Sequence, residues 1–102
     1  MLVKDPTDQL VQTYAREFKT TAGENQLYQA LIQATHDSGA TVFKTDRYDF
    51  HPQGMTAFAI LGESHSALHT FPEKETVWVE IATCADTIDV ELFFSRFEEL
   101  IR

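Results

Sequence analysis

Alternation of apolar and polar positions, interrupted by two stretches of helical period, organises this chain. In residues 76–84, Val77, Val79 and Ile81 share one side of an extended strand, while Trp78, Glu80, Ala82 and Cys84 share the other. Residues 64–71 are also strand-like, and a turn at 72–75 joins the two runs as a hairpin. Residues 56–61 read as a short apolar strand. Residues 40–50 mix β-branched and aromatic residues with polar ones, as a strand does, and His51-Pro52-Gln53-Gly54 is the turn between them. The period changes in residues 24–37, where Leu27, Tyr28, Leu31, Ile32 and Thr35 fall on one helical face and Gly39 stands at a left-handed C-cap. Residues 87–101 show the clearest helical period. Ile88, Leu92, Phe93, Phe97, Leu100 and Ile101 make the stripe, Asp86 is the expected N-cap, and Asp89 and Glu91 suit the positive end of the helix dipole. Residues 5–20 are ambiguous. Leu10, Val11, Tyr14 and Phe18 recur at helical spacing behind an Asp5-Pro6 start, yet 9–18 also reads as a strand.

The order is therefore a strand or helix, then helix, four strands and a last helix. Consecutive strands with short turns pair antiparallel, and the helices cover one face. The expected fold is α+β, a two-layer sandwich forming one domain over residues 1–102. The bare sheet face needs a partner, and its aromatic content points to a homodimer formed through or beside the sheet.

Composition narrows the function. The chain has 102 residues with 43% hydrophobic content, enough for one core. Sixteen acidic against eight basic side chains leave a net charge of −8. That argues against nucleic acid as a partner, since phosphate binding needs basic clusters. It is compatible with a cationic small substrate, although acidity also simply solubilises a domain. The single cysteine cannot form an intramolecular disulfide, so a reducing cytoplasm is expected. Met1-Leu2-Val3-Lys4-Asp5-Pro6 lacks the apolar core of a signal peptide, and no run approaches the roughly 20 apolar residues of a membrane helix. A soluble protein with no membrane partner is expected.

The candidate chemistry sits in Glu63-Ser64-His65, in His69-Thr70-Phe71-Pro72-Glu73, and in Thr83-Cys84. His65 and His69 share a strand face and, with His51, Glu63 or Cys84, have the right side chains for a metal. No short zinc-type ligand spacing accompanies them, so no metal is expected. A hydrolase triad lacks its Gly-x-Ser-x-Gly elbow around Ser64. The third option is self-processing. The Ser64 hydroxyl attacks the Glu63 carbonyl in an N-to-O acyl shift, and β-elimination then releases residue 63 and leaves a pyruvoyl group at position 64. That sequence needs a hydroxyl nucleophile, a base and oxyanion donors.

The block from Glu63 to Glu73, followed by Thr83-Cys84, resembles the prokaryotic S-adenosylmethionine decarboxylase proenzymes. Ser38-Gly39-Ala40-Thr41 and Phe50-x-Pro52-x-Gly54 fit the same pattern, and the resemblance spans roughly residues 25–100. It implies cleavage between Glu63 and Ser64 into a β chain, 1–63, and an α chain, 64–102. Ser64 then becomes the pyruvoyl cofactor, which holds the substrate amine as a Schiff base. His69 matches the base that removes the Cα proton during processing, and Cys84 matches the proton donor of the decarboxylation. Thr56 falls where the family has a serine that helps processing. Phe50 and Glu73 match substrate contacts, an aromatic ring for the adenine–sulfonium portion and a carboxylate for the ribose hydroxyls. The implied product is the aminopropyl donor for spermidine and other polyamines.

The chain departs from the pattern at Thr56, at Ala85 in place of a glycine, and in its end at Arg102 after the last helix. Two other readings stay open at this level. One is the same chemistry on another amino acid, ornithine or arginine; the other is an unprocessed, non-catalytic homologue that binds a partner.

Overall fold

The computed structural model describes residues 10–84 and 86–102. The Asp5-Pro6 helix start and the Met1–Pro6 segment lie outside the described residues, as does Ala85. The ambiguous N-terminal run is a strand, β1 (Gln12–Lys19). It is followed by α1 (Glu24–Asp37), β2 (Val42–Asp49), β3 (Met55–Leu61), β4 (Ser64–Phe71), β5 (Thr76–Thr83) and α2 (Val90–Leu100). The strands form one sheet in the order β1-β5-β4-β3-β2, every neighbouring pair antiparallel. The two helices pack on one face, as the pattern predicts.

Alternation decides which side chains meet the helices. Met55, Ala57, Ala59 and Leu61 of β3, Leu68 of β4 and Val77, Val79 and Ile81 of β5 are all buried with Leu27, Leu31 and Ala34 of α1. Small residues at the centre of the sheet and along α1 let the layers approach closely, so Ala30 and Ala34 complete the buried stripe of α1. A polar pin crosses the same core. The Thr35 hydroxyl bonds to Leu31 O at 2.6 Å and lies 2.8 Å from the Ser66 hydroxyl of β4. Both side chains are fully buried, and each supplies the partner that the other needs.

The second helix corrects the sequence reading in two places. It starts at Val90, with Asp89 rather than Asp86 as N-cap, and the Asp89 carboxylate accepts from Leu92 N at 2.9 Å. Asp89 N in turn donates to Ser38 O at 2.9 Å, so the link to the end of α1 sets the start of the helix. Leu92 is exposed, and Phe94 takes its place beside Phe93 and Phe97 in the buried set. Arg16 of β1 covers the Phe94 ring at 4.7 Å. Burial of each of the three phenylalanines contributes roughly 1.5–3 kcal/mol. Gly39 has φ +97 and follows the C-cap Ser38, as expected. A side chain there would also crowd Thr87 O, at 3.3 Å from an added Cβ.

Two sets of turns end the sheet. The β3–β4 turn (Gly62, Glu63), the start of β1 and the end of β5 lie at one end. The β2–β3 turn and the short 3-10 turn Pro72–Lys74 lie at the other.

Candidate active site

The β3–β4 turn is tied down from three directions. Gly62 N donates to Thr41 O at 2.9 Å. The Glu63 carboxylate accepts from Thr41 N at 3.1 Å and from the Thr41 hydroxyl at 3.3 Å. The Glu63 carbonyl oxygen accepts from Cys84 N at 3.1 Å and from the Cys84 thiol at 3.4 Å. A Cβ at position 62 would come within 3.1 Å of the Phe43 ring, so a side chain there would require that ring to shift. The next residue, Ser64, has φ +143, a backbone region that residues with a Cβ rarely adopt. Such a conformation stores of order 1–3 kcal/mol. The Glu63–Ser64 peptide bond thus has a carbonyl polarised by two donors and a strained serine on its far side.

Ser64 opens β4, opposite Leu61 on β3 and Thr83 on β5. Its hydroxyl lies 3.4 Å from His65 Nδ1. His65 points to the uncovered face, where its Nε2 lies 2.8 Å from a Glu80 carboxylate oxygen. A cleft of about 280 Å³ runs beside Cys84, lined by Gln12, Tyr14, Thr83, Ile88 and Val90 among others. The thiol itself is exposed.

The remaining sequence-predicted residues are elsewhere. His69 is five positions along β4 from Ser64, about 16–17 Å at the rise of a strand. Its register partners are Thr56 on β3 and Trp78 on β5. The Thr56 hydroxyl lies 2.8 Å from His69 Nδ1, and the Trp78 ring centroid is 5.5 Å from that of His69. Phe50 lies in the β2–β3 turn against Tyr48, centroids 5.0 Å apart, and Glu73 lies in the Pro72–Lys74 turn. Both are exposed. Glu63, Ser64 and Cys84 therefore form one cluster, and Thr56 pairs with His69 in another. Phe50 and Glu73 occupy turns at the His69 end.

His65 and His69 share the open face but have separate partners. Among the described residues no three His, Cys, Asp or Glu side chains converge as a metal site. Among the same residues no helix is long and apolar enough to cross a membrane.

Sequence reasoning gave Thr41 and Glu80 no role. Thr41 lies in the Ser38-Gly39-Ala40-Thr41 motif, which offered a signal without a partner. Glu80 had none, because its meeting with His65 depends on the β4–β5 register.

The family model described as S-adenosylmethionine decarboxylase matches residues 8–102. The S-adenosylmethionine decarboxylase proenzyme of Brevibacillus brevis is 33% identical over 82 residues, covering 80% of this chain and 62% of that protein. A proenzyme 2 of Bacillus cereus is 36% identical over 72 residues, covering 71% of this chain and 58% of its own length. The chain thus spans about three-fifths of these curated relatives. The crystal structure of the adenosylmethionine decarboxylase of Aquifex aeolicus superimposes with a TM-score of 0.66 at 23% identity, covering 89% of this chain and 75% of that one. That likeness establishes the shared fold. With nearly the whole chain matched by the family model and a turn that holds a polarised Glu63–Ser64 bond, this protein belongs to the S-adenosylmethionine decarboxylase family.

Proposed function

We propose that the chain is a proenzyme that cleaves itself between Glu63 and Ser64 and then decarboxylates S-adenosylmethionine for polyamine synthesis. The observation that carries this reading is the Glu63 carbonyl. It accepts from the Cys84 N–H and thiol while the following serine sits at φ +143. Attack by the Ser64 hydroxyl turns that oxygen into an oxyanion, and the two donors already point at it. Forming the ester also relieves the strained peptide linkage.

The pyruvoyl group left at position 64 would supply the electron sink for loss of CO₂ from the bound substrate. The residues around Ser64 fit that group, since the Cys84 thiol lies 3.4 Å from the carbonyl oxygen of Glu63, the residue joined to Ser64. The thiol is exposed to the cleft and is the proton donor in this reading. Phe50 offers an exposed ring for a cationic sulfonium and adenine, and Glu73 a carboxylate for ribose hydroxyls.

His69 removes the Ser64 Cα proton in the elimination step, with Thr56 holding its Nδ1. Within one chain it is too far from Ser64 to do so, by the strand spacing given above. A homodimer that pairs the open faces of two sheets head to tail would bring His69 of one copy to Ser64 of the other. The uncovered face carries exposed Tyr48, Ile60 and Phe71 for such a contact.

Intact-mass measurement of purified protein tests the reading. The expected result is two fragments, 1–63 and 64–102, the second lacking a free α-amine, together with CO₂ release from S-adenosylmethionine. A single uncleaved mass after prolonged incubation overturns it.

A further inference from the structure

We propose that His65, oriented by Glu80, is the base that takes the Ser64 hydroxyl proton in the acyl shift, a duty separate from that of His69. The proposal rests on the self-cleavage reading above. Its grounds are the line of contacts from Ser64 Oγ to His65 Nδ1 at 3.4 Å, and from His65 Nε2 to Glu80 at 2.8 Å. A neutral imidazole carries one N–H. A carboxylate at Nε2 can only accept, so it fixes the proton on Nε2 and leaves the Nδ1 lone pair facing the serine. Hydroxyl, imidazole and carboxylate then stand in the order of a serine activated by a carboxylate-oriented histidine. The 3.4 Å contact is long, as such contacts are before the reacting atoms close.

His69 cannot substitute within the chain, since Thr56 occupies its Nδ1 and it is five positions along the strand. The His65–Glu80 pair joins adjacent strands diagonally, because His65 faces Ala82 and Glu80 faces Ala67. The small side chains opposite leave room for the imidazole and carboxylate to lean together over the sheet. Glu80 is a positioning residue that acts through His65.

The step balances without a co-reactant. The Ser64 Oγ–C bond to the Glu63 carbonyl carbon forms as the hydroxyl proton passes to His65 Nδ1. The oxyanion rests on the Cys84 N–H and thiol. The C–N bond then breaks, and His65 returns the proton to the departing nitrogen. The product is an ester of Glu63 on Ser64 with a free amine at residue 64.

Hydroxylamine cuts esters and spares amides, so it reads this step alone. In a His69→Ala chain, elimination is blocked and the ester accumulates, so hydroxylamine should split the chain at residue 63. Adding His65→Ala should reduce that split at least about tenfold, since a positioned base contributes about 10²–10⁴-fold. Free imidazole in the buffer should restore part of it. Glu80→Gln, which keeps the side-chain shape, should slow ester formation while leaving the circular dichroism spectrum unchanged, and Glu80→Asp should recover part of the loss. Ester formation at the parent rate in either the His65→Ala or the Glu80→Gln chain overturns the proposal. A wild-type chain that never cleaves, and a His69→Ala chain that never yields to hydroxylamine, would instead overturn the self-processing reading beneath it.

Discussion

At the Glu63 end of the sheet, polar groups converge on a backbone carbonyl; at the Thr56 end, they converge on an imidazole. The first end is braced within the chain, by Thr41 on the Glu63 carboxylate and Cys84 on its carbonyl. The second is a solitary base between a hydroxyl and an indole, with an exposed aromatic ring and a carboxylate in nearby turns. Each end holds groups that the other lacks. The difference teaches that bond cleavage and proton abstraction, on the reading proposed above, are divided between two places in one protomer. On that reading, folding prepares the Glu63–Ser64 bond for cleavage, and association of two copies would bring the second base to it.

The largest expected effect breaks or confirms that division. Ser64→Ala and His69→Ala proteins should each be uncleaved. Mixed after mild dissociation and reassociation, they should regain cleavage, and only of the His69→Ala chains that have met a Ser64→Ala partner. Such a pair contains one site with both native residues and one with neither. Mass spectrometry separates the two chains. If no mixture is cleaved while the wild type is, the two ends do not serve each other across subunits.

A smaller effect sharpens the Glu63 end alone. Cys84→Ala removes the thiol but keeps the backbone N–H that lies 3.1 Å from the Glu63 oxygen. One lost hydrogen bond of about 0.5–1.5 kcal/mol slows cleavage by no more than roughly tenfold. Turnover should fall much further, by about 10²-fold or more, if the thiol is the proton donor proposed above. Measuring fragment appearance and CO₂ release on the same preparation checks the split. Equal losses in both would assign the thiol to cleavage only.

How far the sequence carried this picture depends on the kind of contact. Alternation in Thr76–Thr83 assigned both faces of β5, because a strand's period follows directly from its residues. The N-terminal run is ambiguous between helix and strand, because Leu10, Tyr14 and Phe18, four residues apart, fit both periods and only pairing with β5 decides. The cap of α2 was misplaced because Asp86 and Asp89 are equally good caps by type, and the tie of Asp89 to Ser38 is a tertiary contact. At the site, the motif named Ser64, His69 and Cys84. It left open how Ser64 and His69 could act on each other, since the strand that carries both holds them five positions apart. Cys84 joined Glu63 across 21 residues because β5 runs beside β4, and Glu80 found His65 for the same reason.

The smallest expected effect separates the stability of the two ends from their chemistry. Behind the sheet, Arg96 of α2 holds Asp37 at the end of α1, Nε to Oδ2 at 3.0 Å. Behind the other end, Arg47 holds Asp49 at 2.6 Å. A hydrogen bond from Gln33, then the one from Arg96, draws the Asp37 carboxyl below its usual 3.8. A carboxylate whose pKa is lowered by folding adds stability that is present above the unfolded value and is lost as pH falls through the folded one. Asp37→Asn should therefore lower the melting midpoint by a few degrees at most at pH 7, and the gap to wild type should close below 3.8. Cleavage at pH 7 should keep its wild-type rate, because the Glu63 turn is held by Thr41 and Cys84 and not by this pair. A melting series across pH, run beside a cleavage time course, measures both. If Asp37→Asn slowed cleavage as much as loss of the Cys84 thiol, the helix layer would be setting the geometry of the scissile turn, and the two ends would differ in support as well as in chemistry.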